Sequence, residues 1–331
     1  MPTQVISFTQ ESLPSKLEAI KQAVEENGYV ILQPWDSSAD TLRIVGSIFG
    51  RLQSHIRANE QGVVGETQQG DPEWKKFKAE YHGLGTGEFA PHTDGTFVDG
   101  VLVDGPTLTR VGPPGYVILQ IVRNAGEGGA SIIVDGQRVL HDILMTNAQM
   151  AAILMSHGAI TYCRDDQLAL DLPVFAQVGP SQYTIRFRSD SKAYSPAWSL
   201  PAVQALHWNY HMAPQYRERM LLEEGQILVC DNTRVLHGRE PFSEEDTGAG
   251  AGRKLRRLWI MDEHSETLHN LEEEVPTSRA LDPYKPYGVV PNDVALQNVP
   301  EIRTGIWLDD VANSVAQQII RDLAEQRLQP A

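Results

Sequence analysis

The segment His92-Thr93-Asp94 and a histidine 143 residues beyond Asp94, His237, constrain this chain more than any other feature. They sit in Ala90-Pro91-His92-Thr93-Asp94-Gly95-Thr96 and in Asp231-Asn232-Thr233-Arg234-Val235-Leu236-His237-Gly238-Arg239. Two imidazoles and one carboxylate form the donor set of a facial triad for non-heme Fe(II), which leaves coordination positions open for chemistry. Residues i and i+2 of a strand point to one face, so a strand would present His92 and Asp94 together. His237 must then arrive on a distant strand folded back beside the first.

The surrounding pattern supports a sheet-rich fold. Tyr29–Leu32, Tyr116–Val122, Ala130–Asp135, Tyr183–Arg188 and Gln226–Cys230 read as strands, rich in β-branched and aromatic residues or alternating in polarity. Helices are expected from Ser15, a capping-box start, to the stop at Gly28; from about Ser38 to Phe49, closed by Gly50; over 137–156; and over 201–221. Residues 51–90 are polar and glycine-containing, as in a surface loop that serves as a lid. The tail from about 265 to 331 ends in a helix expected from Leu308 to Arg327. Its stripe of Val311, Val315, Ile319, Ile320 and Leu323 would dock on its own domain or join two subunits.

The chain has 331 residues, 41% of them hydrophobic, enough for a substantial core. Its 28 basic and 43 acidic residues leave a net charge of −15, which argues against nucleic acid and anionic membrane as partners. Cys163 and Cys230 lie in apolar surroundings and read as reduced, buried thiols. With no basic, apolar leader at Met1-Pro2-Thr3-Gln4 and no apolar run near the ~18 residues of a membrane span, a cytoplasmic protein is expected.

Four signals occur in order: His92-Thr93-Asp94; Gly128-Gly129-Ala130-Ser131 entering a strand; Asp231-Asn232-Thr233-Arg234 leading to His237-Gly238-Arg239; and Arg253-Lys254-Leu255-Arg256-Arg257, sixteen to twenty residues past His237. With these the chain resembles the Fe(II)/2-oxoglutarate-dependent dioxygenases, in the branch of taurine dioxygenase, clavaminate synthase and γ-butyrobetaine hydroxylase. The resemblance covers about residues 25–262. It implies a mainly β catalytic domain with surrounding helices, built on a double-stranded β-helix (jelly-roll) core. It also implies Fe(II) on His92, Asp94 and His237, with 2-oxoglutarate as cosubstrate and O₂ as oxidant.

A guanidinium fork suits the far carboxylate of 2-oxoglutarate better than an ammonium does. The family's Arg-x-x-x-Arg pattern falls on Arg253 and Arg257. Arg257 is expected at that carboxylate with Arg253 assisting, while Arg256 falls on the other strand face. Ser131 stands where the family often has a threonine that touches the cosubstrate. Asp94 keeps the carboxylate that halogenating relatives replace with a small residue. The resemblance therefore implies C–H oxidation with release of succinate and CO₂: hydroxylation by default, with desaturation or cyclisation as alternatives.

Substrate recognition is less determined. If Ile185 and Phe187 face a helical layer, Arg186 and Arg188 face the barrel, where Arg188 would grip an acidic group. Tyr81, His82 and Phe89 approach the metal motif and would line the same pocket. These features suggest a small polar, amino-acid-like substrate. Two rival readings exist. A zinc hydrolase would use His207 and His211 at helical spacing, but Trp208 stands where such a motif places its glutamate. A non-catalytic β-barrel that binds a metal or metabolite has no need of open coordination positions.

Overall fold

A computed structural model describes residues 5–53, 85–104, 107–164, 167–190, 192–243 and 253–261, with the backbone of short strands at Thr267–Asn270, Val289–Pro291 and Ile306–Trp307. Most of the expected lid, including Tyr81 and His82, lies outside the described residues. So does the expected helix Leu308–Arg327.

Ten strands frame the site: β1 Val5–Ser7, β2 Tyr29–Gln33, β3 Leu52–Gln53, β4 Phe89–His92, β5 Tyr116–Arg123, β6 Ser131–Asp135, β7 Arg217–Met220, β8 Ile227–Asp231, β9 Val235–Arg239 and β10 Lys254–Ile260. One sheet runs β1-β2-β8-β5-β10-β3 and a second runs β7-β6-β9-β4. Pairing is antiparallel throughout, except for parallel β1 and β2.

Strand alternation sorts the core into layers. Ile31, Ile121 and Leu228 of the first sheet meet Ile133, Met220 and Val235 of the second. Val30, Leu32, Val229, Leu258 and Ile260 face the other way, onto helices α1 (Leu13–Asn27) and α2 (Ala39–Ser47). Ile132, Val134 and Leu236 pack outward on α3 (Gly136–Thr146), α4 (Ala148–Leu154) and α5 (Leu200–Leu206).

Several expected boundaries move. Helix α1 begins at Leu13, with Ser12 at its cap and Pro14 in its first turn. Ser15 is already inside, and its hydroxyl donates back to the Ser12 carbonyl. The helix expected over 201–221 ends early. After α5 comes a π-turn, His207–His211, and then a 3₁₀ turn at Pro214–Tyr216. Arg217–Met220 is the edge strand β7, because its backbone finds β6 as a partner. The strand expected over Tyr183–Arg188 stops at Ile185, where its hairpin partner begins at Phe175. Cys230 is buried as expected, whereas Cys163 is half-buried; both are free thiols. Among the described residues no helix is long and apolar enough to cross a membrane.

Candidate metal centre

His92 is the last residue of β4 and pairs directly with His237 on β9. Adjacent antiparallel strands thus place the two imidazoles side by side, with ring centroids 4.6 Å apart. Asp94 is not on the strand. The strand ends at His92 and Asp94 opens a turn, so it is the turn that swings the carboxylate back toward both rings. Asp94 Oδ1 lies 3.4 Å from His92 Nε2 and 3.8 Å from His237 Nε2. The three ligand atoms fall within 4.8 Å of one another, and all three residues are buried. Among the described residues this is the one such cluster of three, so His207 and His211 find no third ligand there.

Long-range hydrogen bonds set the turn. The Asp94 N–H donates to Asn232 Oδ1 at 2.8 Å, and Asn232 Nδ2 donates to the carbonyls of Asp94 (3.1 Å) and Pro114 (2.8 Å). Gly95 has φ +68°, and a Cβ there would sit 2.5 Å from Pro114 Cδ, so only glycine fits after Asp94. Thr93 N–H donates to the Phe187 carbonyl (2.8 Å), and Phe187 N–H donates to Thr93 Oγ1 (3.0 Å). Arg186 donates to the carbonyls of Thr96 (2.8 Å) and Val98 (2.9 Å), so it braces the turn.

The donors are preset for a cation. His92 Nδ1 lies 2.9 Å from the Ala90 carbonyl, which places the proton on Nδ1 and the lone pair on Nε2. That buried Nε2 has no hydrogen-bond partner. Asp94 Oδ2 accepts from Arg257 Nη1 and Trp259 Nε1, each at 2.8 Å, which leaves Oδ1 turned to the imidazoles. Burial alone would raise the Asp94 pKa, but the Arg257 guanidinium, His92 and His237 outweigh it and hold the carboxyl well below the usual range. Burial, with His92 nearby, lowers His237 to about 3, so it is neutral and able to ligate at neutral pH. One buried anion beside two imidazoles fits a divalent first-row metal.

The arginines divide as strand alternation requires. Arg256 turns outward to the Ser37 carbonyl and Gln120, as expected. Arg257 faces inward but is engaged by Asp94. Arg253 is half-buried, its sealed Nε has no partner, and burial lowers its pKa to about 10. It lies across Gly129, where a Cβ would come 3.3 Å from Arg253 Nε. At Gly128, with φ +78°, a Cβ would meet the Pro241 carbonyl at 2.3 Å, so both glycines before Ser131 are needed. Ser131 is buried at the start of β6, paired with Arg239 of β9.

The Phe89 ring packs against the His92 ring, tilted by 44°, with centroids 4.1 Å apart. Arg188 is buried and gripped at both ends by Asp190: Nε donates to Oδ1 at 2.7 Å and Nη2 to Oδ2. Burial would lower the Arg188 pKa, but Asp190, with Asp94 also contributing, raises it, so the pair lies within the field of the metal site. The roles of Asn232, Trp259, Arg186 and Arg239 were not foreseen from the sequence. Trp259 carried a signal, since it shares a strand face with Arg257.

Fold and donor set define a mononuclear metalloenzyme of the two-histidine, one-carboxylate kind. The chain matches the model of the taurine catabolism dioxygenase TauD, TfdA family over residues 2–259 and belongs to that family. It is a non-heme iron, 2-oxoglutarate-dependent oxygenase. It is 24% identical over 252 residues to a uridine-5'-phosphate dioxygenase of Amycolatopsis sp, covering 72% of this chain and 87% of that protein. The fold is similar to an asparagine oxygenase solved with Fe(II), 2S,3S-3-hydroxyasparagine and succinate, with a TM-score of 0.59, 16% identity, and 76% and 79% of the two chains covered. It is also similar to the non-heme iron oxygenase OrfP solved with Fe, succinate and (3S)-hydroxy-L-Arg, with a TM-score of 0.54, 13% identity, and 78% and 94% covered.

Proposed function

We propose that this oxygenase attacks an unactivated C–H bond of a small polar, amino-acid-like metabolite, with hydroxylation as the default outcome. The carrying observation is the Arg188–Asp190 pair beside the metal cluster. A buried, mutually neutralised cation and anion suit a zwitterion, whose carboxylate and ammonium can exchange partners with them. A phosphorylated substrate would need surplus positive charge there. The hydroxylated amino acids bound in the two structural relatives favour the same choice.

His92 Nε2, Asp94 Oδ1 and His237 would hold the iron. Bound iron with 2-oxoglutarate and O₂ supplies the oxidising power, and succinate and CO₂ leave. The chain's own groups do the positioning. Asn232 fixes the backbone of Asp94, while Arg257 and Trp259 hold its outer oxygen. Phe89 packs against the His92 ring.

For the far carboxylate of the cosubstrate we assign Arg253 in preference to Arg257, since Arg257 already serves Asp94 and Arg253 has an unanswered donor. Ser131 lies on the same inner face and would assist. The two facing sheets are read as the halves of a double-stranded β-helix. The test is a panel of free amino acids and small nucleotides, read as substrate-triggered succinate release. Succinate release with an amino acid supports the reading, and release with a nucleotide alone overturns the choice of substrate.

A further inference from the structure

Arg239 lies two residues past His237, is buried, and gives its donors to carbonyls only. Nε donates to Glu240 O (3.3 Å), and Nη2 donates to Gly85 O (2.7 Å) and Gly87 O (2.6 Å). Its guanidinium sits 4.5 Å from the centroid of the Phe242 ring, and that of Arg253 sits 5.9 Å from the same ring. The Phe242 N–H in turn donates to Thr86 O at 3.0 Å. Among the described residues neither arginine has a carboxylate partner. Two like charges therefore share one aromatic ring in a poorly solvated corner, a placement that favours an anion between them.

The segment 85–87, held at three points by Arg239 and Phe242, leads directly into β4. There Phe89 packs at a tilt against His92, and Glu88 is pinned by Arg217 at 2.6 Å.

We propose that Arg239 is a positioning and specificity residue: it senses a carboxylate held at Arg253 and passes that occupancy to Gly85–Gly87, the segment that leads to the first metal ligand. This rests on the assignment of Arg253 to the far carboxylate of 2-oxoglutarate. The nearby Arg253 guanidinium repels that of Arg239 and opposes its hold on the two glycine carbonyls. A carboxylate cancels that repulsion and the segment tightens. A 2-oxo acid without the far carboxylate, such as 2-oxobutyrate, can chelate the metal yet leave the segment loose.

The experiment is hydrogen–deuterium exchange of the anaerobic Fe(II)-loaded protein with 2-oxoglutarate or 2-oxobutyrate. The visible charge-transfer band is recorded on the same samples. In wild type, peptides spanning 85–92 should exchange several-fold more slowly with 2-oxoglutarate than with 2-oxobutyrate. In Arg239→Gln the difference should vanish, with exchange in β5 and β8 unchanged as the check on folding. Arg239→Lys, which keeps the charge but lacks the planar fork and its Nε contact to the Glu240 carbonyl, should retain part of it. Equal protection by both acids in wild type, or full protection surviving in Arg239→Gln, overturns the proposal. A band in wild type without differential protection refutes this coupling alone. A wild type with bound iron and no band refutes the site assignment, and the coupling with it.

Discussion

Asn232→Ala removes the side chain that fixes the metal turn. Asn232 is buried and makes three hydrogen bonds, one accepted from Asp94 N–H and two donated to the carbonyls of Asp94 and Pro114. A neutral hydrogen bond contributes about 1 kcal/mol net, and a buried group left unpaired loses more. The loss should reach roughly 3 kcal/mol, since alanine leaves all three backbone groups unanswered. At about 2–4 °C per kcal/mol for a large domain, the midpoint of thermal unfolding should fall by about 6–12 °C. Asp94 would also lose its fixed backbone, so metal affinity should fall by about 10–100-fold, as for other groups that orient ligands. Differential scanning fluorimetry of the metal-free protein and titration with Co(II) measure the two effects separately. A variant that melts within about 2 °C of wild type and binds Co(II) unchanged would refute the claim that Asn232 organises the turn.

Arg253→Leu should raise the 2-oxoglutarate concentration for half-saturation by about 10–100-fold, the worth of a lost charge-assisted contact, with Fe(II) affinity retained; equilibrium titration of the charge-transfer band checks this. Arg188→Leu strands Asp190 as a buried anion and should destabilise the fold by about 3–5 kcal/mol, and Asp190→Leu added to it should recover much of that, as urea unfolding of both variants would reveal. Acid lability follows from histidines buried in neutral form. Burial lowers His207 to about 4, below its ordinary value near 6.5, and burial, with His207 nearby, holds His211 well below its ordinary value as well. The unfolded chain therefore takes up protons first as pH falls. Stability should be at its plateau above about pH 6.5 and decline toward pH 4. His207→Gln should flatten that slope in urea melts of metal-free protein, and an unchanged slope would contradict the assignment.

The sequence was most legible where chemistry and periodicity coincided. His92, Asp94 and His237 were found from donor type and spacing, and alternation separated inward Arg257 from outward Arg256. What could not be read was long-range. Asn232 acts on Asp94 across 138 residues, a contact that no local pattern records. Asp94 left its strand because Thr93 pairs with Phe187 instead of continuing β4. The helix expected over 201–221 failed for a related reason, since β6 offered Arg217–Met220 a ladder that helical periodicity could not register. Alternation points Arg188 inward only if Ile185 and Phe187 face the helices, and it gives no sign of its partner Asp190, two residues on. That pairing turned an expected acid-gripping arginine into one half of a neutral couple. Only the fold shows that Asp94 engages Arg257, which is why we propose Arg253 rather than Arg257 for the far carboxylate.

The most direct test of the account is the visible spectrum of the anaerobic protein with Fe(II) and 2-oxoglutarate. The account requires a metal-to-ligand charge-transfer band in wild type, its loss in His92→Ala, and its survival in Arg253→Leu at higher 2-oxoglutarate. Iron demonstrably bound to wild type without the band, or a band unaltered in His92→Ala, would contradict the assignment of the site.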